Sequence, residues 1–483
     1  MMGAARGGRE TWQRSCARID CESALHGRRL LLQRDFRPGL PSSLTQAPRR
    51  GARAAAILWA VRACDTVRRR PYPLLHSMSA TPTHDAFEQA RQLFLQGLKD
   101  FEEGRFEAAE QRFRSSLALL PGRVSTLVNL AATQLKLDRP QDALATAEQV
   151  LALEAGNADA WFHKAGALGQ LNRHPEALLG YEKAIALAPQ GAAELWFRHG
   201  QTLQALDQPV RALASYERAL AANPGLAQAW SNRGGILREM KRNEEAADAF
   251  RQALAHGADP ELHQYYLASV SAQSVPPVAP GHYVETLFDD YAEQFDAHLV
   301  GTLGYRAHDT LVKHLAALGR GPFRCALDLG CGTGLCATLL KPMTQRLEGV
   351  DLSSLMLDKA QALGLYDRLV HADIVDHLQG TEERYDLVTA ADVFIYVGDL
   401  EPVFAVLDRA LEAKGVFCFS AECASGEAVD FELLPSLRYA HSERYLRALA
   451  ARHGFDLLQL IRAPIREDQR EPIHGMYVYL ARR

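Results

Sequence analysis

Residues Cys325–Gly334 read CALDLGCGTG, and this stretch decides the fold of the C-terminal half of the chain. An apolar pair, Ala326 and Leu327, leads into Asp328, and three glycines spaced two apart (Gly330, Gly332, Gly334) follow before a helical segment begins near Leu335. Glycine is needed where a backbone turns sharply and another molecule lies against it, because a Cβ would collide with that molecule or forbid positive φ. An open parallel sheet places such a loop at the carboxyl end of its first strand, where ligands bind. The run therefore reads as strand, ligand loop and helix.

The spacing discriminates between ligands. Dinucleotide-binding loops favour G-x-G-x-x-G with a pyrophosphate on the helix N-terminus, whereas here an acidic residue leads directly into G-x-G-x-G. Downstream, Leu347–Asp351 (LEGVD) reads as a second strand ending in a carboxylate. These two runs resemble the motifs of class I S-adenosylmethionine-dependent methyltransferases, whose first motif reads much like LDLGCGTG. The resemblance implies a Rossmann-like α/β domain and a sulfonium cofactor, near whose aminoacyl end the Asp328 carboxylate is an asset, while Asp351 holds the ribose hydroxyls. Plain structural roles stay open beside these: Asp328 as a cap of the glycine turn, and Asp351 as the N-cap of a helix over 353–362.

Beyond Gly281 the pattern alternates. Helices are predicted near Tyr283–Leu299 and Ala307–Leu318, and strands at Cys325–Leu329, Leu347–Val350, Leu369–His371, Leu387–Ala390, Val416–Ser420 and Met476–Ala481. Apolar strands separated by helices imply a mostly parallel sheet covered on both faces. The last strand, following a turn at His474 and Gly475, is expected to run antiparallel. Phe288, Tyr291 and Phe295 share one helical face by their spacing, and the resemblance implies a segment that folds over the cofactor with Tyr291 near its carboxylate.

The same resemblance gives Asp373 to the adenine amino group and Ile374 to the ring. It implies a cofactor set of Tyr291, Asp328, Gly330, Cys331, Gly332, Gly334, Asp351, Leu352, Asp373, Ile374 and Ala390, with no metal. The fourth strand leads to Asp392, Phe394 and Tyr396. It lacks the N-P-P-Y or D-P-P-Y motif that stacks a flipped base, and a Pro-Cys nucleophile, so base methylation is disfavoured. Asp392, Tyr396 and His441 are the candidate catalytic residues, with Glu422 a further candidate base. A base is needed for an amine or hydroxyl acceptor but not for a carboxylate. Arg438, Arg466 and Arg470 are candidates to clamp an anionic acceptor through bidentate contacts, surface ion pairing being the alternative.

A second pattern precedes this domain. The segments GRFEAAEQRFRSSLAL, DRPQDALATAEQVLAL, NRHPEALLGYEKAIAL, DQPVRALASYERALAA and KRNEEAADAFRQALAH align on Ala109, Ala143, Ala177, Ala212 and Ala246, at separations of 34, 34, 35 and 34 residues. An aromatic follows four positions later at Phe113, Tyr181, Tyr216 and Phe250, and a proline closes the unit at Pro121, Pro189 and Pro224. This array resembles the tetratricopeptide repeat, in which helix hairpins stack so that each covers its neighbour's apolar face. Trp161, Trp196 and Trp230 read as core between repeats. Asn129, Lys164, Arg198, Asn232 and Arg233 are expected to line a concave surface, which either binds a protein partner or is simply solvated.

Four segments result: an Arg-rich, disordered leader over 1–84, the repeats with a capping helix over 85–273, a Pro-rich linker over 274–281 (SVPPVAPG), and the methyltransferase domain over 282–483. The linker predicts that 281–483 folds alone. From Asp85 to the C-terminus the chain resembles predicted bacterial methyltransferases that carry N-terminal tetratricopeptide repeats. Residues 1–78 hold fifteen Arg, no Lys and five acidic residues, a surplus of +10 that leaves −14 for the rest. The leader reads as a disordered extension or as sequence upstream of a start at Met78, an organellar transit peptide being the alternative. An acidic body argues against a nucleic-acid partner. The eight Cys form neither a disulfide framework nor a paired C-x-x-C site, which points to a reducing, cytoplasmic setting. Ala54–Ala63 is about half the ~20 residues a membrane span needs.

The function expected is methyl transfer to an unidentified acceptor, with the repeats recruiting a protein partner or substrate. The alternatives are a small carboxylate or hydroxyl acceptor with repeats used for assembly, and a non-catalytic adaptor.

Overall fold

The computed structural model describes residues 84–189, 192–271, 274–293, 295–296, 304–426, 428–468 and 471–483. The leader lies outside them except for His84, which opens the first helix, and so do Arg470 and the end of the helix expected to reach Leu299. The described residues form two compact units, 84–222 and 223–483.

The first unit is a run of helix hairpins: α1 (His84–Glu102) with α2 (Phe106–Leu119), α3 (Val124–Lys136) with α4 (Pro140–Leu153), α5 (Ala158–Gln170) with α6 (His174–Leu187), and α7 (Ala193–Ala205) with α8 (Pro209–Ala222). The small residues are where two helices touch. Ala109, Ala143, Ala177 and Ala212 are fully buried, and a Cβ on Gly200 would lie 2.6 Å from the Tyr216 ring. Each hairpin turns through a left-handed residue, Gly104, Asp138, Asn172 and Asp207 in succession, types that tolerate this conformation. In the second hairpin the amides of Asp138 and Arg139 then bond back to Leu135 O and Gln134 O, satisfying the helix-end carbonyls.

The polar positions expected to line a groove are engaged inside the array. Asn129 donates to Ser125 O at 2.8 Å, Lys164 pairs with Glu148 and lies over Trp161, and Arg198 binds Glu194 and Gln201.

The second unit opens with the last repeat, α9 (Ala227–Glu239) and α10 (Asn243–Ala255), and a helix α11 (Pro260–Val270) capped by Asp259, whose Oδ1 accepts from Leu262 N at 2.7 Å. Here Asn232 is buried, which corrects its assignment to an open groove. The boundary falls ahead of this repeat and not at the prolines. The Pro-rich segment is extended as its composition predicts, yet it is bound along its length. Pro276 O accepts from Tyr439 Oη at 2.8 Å, Pro277 O from Gly398 N and Asp399 N at 2.9 and 2.8 Å, and Ala279 N donates to Tyr396 O at 2.9 Å. Tyr265 of α11, fully buried, donates to Leu437 O at 2.7 Å.

The remainder is α12 (Gly281–Tyr291), α13 (Ala307–Ala317), β1 (Phe323–Leu329), α14 (Ala337–Leu340), β2 (Thr344–Asp351), α15 (Ser354–Ala362), β3 (Arg368–His371), α16 (Ile374–Gly380), β4 (Tyr385–Ala390), α17 (Glu401–Ala410), β5 (Leu411–Cys423), β6 (Phe431–Leu433), β7 (Tyr439–His441), α18 (Glu443–Arg452), β8 (Phe455–Asp468) and β9 (Glu471–Arg482). The sheet runs β3-β2-β1-β4-β5 in parallel, and β9 adds antiparallel to β5 with β8 beyond it. A short β7–β6 hairpin pairs with the end of β5.

Alternation along β1 builds the two cores: Cys325, Leu327 and Leu329 face α16, α17 and α18, while Ala326 faces α13 and α15. The strand order reverses between β1 and β4, so the cleft at their carboxyl ends is where this architecture binds ligands.

The C-terminal hairpin corrects the sequence reading. No turn occurs at His474 and Gly475: both lie within β9, and Gly475 pairs with Glu422 on one side and Ala463 on the other. The partner strand β8 was not foreseen because Pro464 and its charged residues interrupt the apolar pattern, features an edge strand tolerates.

Candidate active site

Asp328 is the next-to-last residue of β1, and its side chain is buried. Its Oδ2 accepts from Tyr366 Oη at 2.7 Å and its Oδ1 from Thr389 Oγ1 at 2.9 Å. Burial pushes its carboxyl up to about 6, against the pull of those two donors. It ties β1 to β4 and to the segment before β3, and thereby sets the floor of the glycine loop.

Three left-handed glycines make that loop, with φ of 59°, 54° and 91°. A Cβ on Gly330 would lie 2.6 Å from Val393 and one on Gly334 2.7 Å from Leu363, whereas one on Gly332 would meet nothing within 4 Å. The outer glycines are required by the protein's own packing. The middle one faces open space.

Asp351, at the end of β2, holds the loop. Its Oδ2 accepts from Gly332 N at 2.8 Å and its Oδ1 from Ser353 N at 2.9 Å. Burial raises its pKa, opposed by the amides of Ser353, Gly332 and Leu352. A carboxylate has about four acceptor positions, so these amides leave part of that capacity for a ligand hydroxyl. Ser353, not Asp351, caps α15: its Oγ accepts from Met356 N at 3.1 Å. Leu352 O is bonded to His371 Nε2 at 2.7 Å. Cys331 is buried, and its amide donates to Val350 O.

Asp373 caps α16, its Oδ1 accepting from Val375 N at 2.7 Å and Asp376 N at 3.2 Å. Ile374 beside it is buried in the core.

A strap lies over this floor. Asp289 of α12 accepts from Ser353 Oγ at 2.6 Å, and Asp296 accepts from Thr333 Oγ1 at 2.6 Å. Phe288 packs on Tyr396 with centroids 5.5 Å apart, and Tyr291 on Phe295 at 5.2 Å. Burial raises the Tyr291 and Tyr396 hydroxyls. The aromatic face was legible in the sequence, but Asp289 and Asp296, which dock it, were not singled out.

At the end of β4, Ala390 is buried, and Asp392 adopts a left-handed φ of 62° with its amide on Ser420 Oγ. Its carboxylate receives Arg466 Nη1 at 3.1 and 3.2 Å, while Arg466 Nη2 binds Glu422. This corrects the reading of Arg466 as a clamp for an acceptor, since both its terminal nitrogens are spent on the protein's own carboxylates.

His441 lies outside this cluster. It is fully buried, Nε2 donates to Gly398 O at 2.9 Å, its ring stacks on Tyr445, and burial lowers its pKa to about 4. A neutral imidazole sealed in the core fits a role in holding the loop after Tyr396, and not proton transfer with an acceptor. Among the described residues no group of His, Cys, Asp and Glu side chains could hold a metal ion, and no helix is long and apolar enough to cross a membrane.

Residues 327–419 match the family described as "Methyltransferase domain", and residues 128–192 and 197–262 match "Tetratricopeptide repeat". Over 85 residues the chain is 46% identical to Methyltransferase-like protein 27 of Homo sapiens, covering 17% of this chain and 34% of that protein. Over 94 residues it is 33% identical to the malonyl-[acyl-carrier protein] O-methyltransferase of Hamiltonella defensa subsp. Acyrthosiphon pisum, covering 20% and 36%. The chain thus spans about a third of the length of these relatives. Among solved structures, magnesium protoporphyrin IX methyltransferase (ChlM) from Synechocystis PCC 6803 with bound SAM aligns over 37% of this chain and 79% of that one, at 19% identity and a TM-score of 0.30.

Proposed function

We propose that this chain, which joins tetratricopeptide repeats to a class I methyltransferase domain, transfers a methyl group from S-adenosylmethionine to an acceptor held at the carboxyl ends of β4 and β5. The observation that carries the reading is the cradle formed by Asp351 beneath the one loop glycine that faces open space. When bound, the cofactor supplies an electrophilic methyl group on sulfur.

The chain's residues then divide the work. Gly332 lets the ligand lie on the backbone, flanked by Gly330, Cys331 and Gly334, and Asp351 with Leu352 takes the ribose. Asp373 offers Oδ2, which accepts from no described residue, to the adenine amino group, with Ile374 against the ring. Tyr291 closes the aminoacyl end, and Asp328 and Ala390 act from beneath by fixing the loop and β4. Asp392, oriented by Arg466, and Tyr396 face the acceptor, where a carboxylate can receive the proton that an amine or hydroxyl must lose. Most of the acceleration would come from positioning.

The repeats support recruitment of a protein partner or substrate, the use common to such arrays. Cys325, Cys331, Cys336 and Cys418, buried as free thiols, support a cytoplasmic setting. A small carboxylate or hydroxyl acceptor is the second reading, with Arg438 able to receive an anionic one. Calorimetric titration of the full chain with S-adenosylmethionine and S-adenosylhomocysteine tests the proposal. A folded protein that binds neither would overturn it, and methyl-labelled cofactor in cell extract would show whether label enters protein or small molecules.

A further inference from the structure

Three arginines invite an anion in the sequence, and the structure separates them. Arg466 is consumed by Asp392 and Glu422, and Arg470 lies outside the described residues. Arg438 remains. It is half-buried, and no described residue forms an ion pair with it. Its guanidinium is within hydrogen-bonding reach of the Tyr396 hydroxyl, and its charge also acts on Tyr291.

The backbone that carries it is pinned on both sides. Leu437 holds a left-handed φ of 61°, strained for a leucine, and its carbonyl receives the Tyr265 hydroxyl. Arg438 O accepts from Leu434 N at 2.8 Å. Tyr439 packs so closely on Gly398 that a Cβ there would lie 2.6 Å from its ring, and its hydroxyl is on Pro276 O. A partly desolvated cation that forms no ion pair with a described residue carries a cost, and here it is held on fixed backbone next to the residues that face the acceptor.

The geometry points to Arg438 as the binding residue for an anionic oxygen group, a carboxylate in the first instance, brought by a ligand of this site. This rests on the methyltransferase reading. Two molecules can bring that group: the cofactor, through its aminoacyl carboxylate, or the acceptor.

The test uses the full chain, with Arg438→Gln and Arg438→Lys beside the wild type. S-Adenosylhomocysteine and 5′-methylthioadenosine, which lacks the aminoacyl group, are titrated calorimetrically, and transfer of labelled methyl into cell extract is counted. If the cofactor supplies the carboxylate, Arg438→Gln weakens S-adenosylhomocysteine about tenfold to a hundredfold, leaves methylthioadenosine unchanged, and Arg438→Lys restores part of the loss. If the acceptor supplies it, both affinities stay unchanged and transfer falls at least about tenfold, again with partial rescue by lysine. Equal loss for both nucleosides, or variants that match the wild type in affinity and in transfer, would overturn the assignment. A wild-type chain that binds neither nucleoside would instead remove the methyltransferase reading itself.

Discussion

Replacing Arg466 by methionine isolates the energetics of the buried cluster at the end of β4. The three side chains retain 2%, 13% and 5% of their surface for Arg466, Asp392 and Glu422. Removing the cation leaves two carboxylates confronting each other out of water. Breaking a buried pair in this way costs about 3–5 kcal/mol, whereas replacing the whole cluster by well-packed hydrophobic groups of similar volume is often close to neutral. With a urea dependence near 2 kcal/mol per M, Arg466→Met should lower the unfolding midpoint of this domain by about 2 M. The triple variant Arg466→Met, Asp392→Asn, Glu422→Gln removes the unpaired charges and should recover part of that loss, the remainder reflecting the buried amides.

Peptide-resolved thiol labelling of Cys325 and Cys418 during urea titration reads the correct domain. Cys325 and Cys418 are fully buried on β1 and β5, and all five described cysteines lie in the C-terminal unit. A two-unit chain need not unfold in one step, so a local reporter is required. A midpoint in Arg466→Met within about 0.3 M of wild type, or a triple variant as unstable as the single one, would refute the view that Arg466 is the counter-charge shared by two buried carboxylates.

Asp351→Ala should weaken S-adenosylhomocysteine by about 1.5–3 kcal/mol through loss of charge-assisted contacts; unchanged calorimetric affinity in a folded variant removes the ribose assignment. Asp328 titrates near 6 in the folded chain against 3.8 for an ordinary aspartate. Its contribution is therefore fully present below pH 4 and lost as pH rises through 6, and Asp328→Asn should gain on wild type by about 3 kcal/mol between those limits. His441 behaves oppositely: with its pKa lowered from 6.5 to about 4, its contribution is present above 6.5 and lost as pH falls toward 4. His441→Gln should flatten that acid limb by about 3 kcal/mol, and urea titrations at pH 7 and 4.5 that show the wild-type slope would exclude it. In the repeats, Gly200→Ala drives a methyl into Tyr216 and should cost about 1–3 kcal/mol; a thermal transition equal to wild type by tryptophan fluorescence would contradict the tight packing.

The sequence disclosed what local pattern determines and concealed what depends on distant partners. CALDLGCGTG and LEGVD were legible because each joins an apolar strand to the residue that must end it. The repeats were legible because a small residue recurs wherever two helices touch. Arg466 was not, since its partners Asp392 and Glu422 lie 74 and 44 residues away and nothing local distinguishes a buried arginine from a solvated one. His441 looked catalytic in RYAHSERY because burial has no signature in its neighbours. Tyr366 and Thr389 gave no signal, although they decide where Asp328 points. The prolines at 276 and 277 signalled extended chain correctly, but extension says nothing of what the carbonyls bind.

Those carbonyls bear on how a protein of this kind can be rearranged by recombination. A crossover at residue 281 would strip Gly398, Asp399 and Tyr439 of Pro276 and Pro277 and Tyr396 O of Ala279 N, and would take Tyr265 from Leu437. Each loss falls within two residues of Tyr396 or Arg438, or within three in the case of Asp399. A crossover ahead of residue 223 leaves every one of these bonds intact. The segment such a crossover keeps whole is the C-terminal α/β domain together with its final repeat and capping helix.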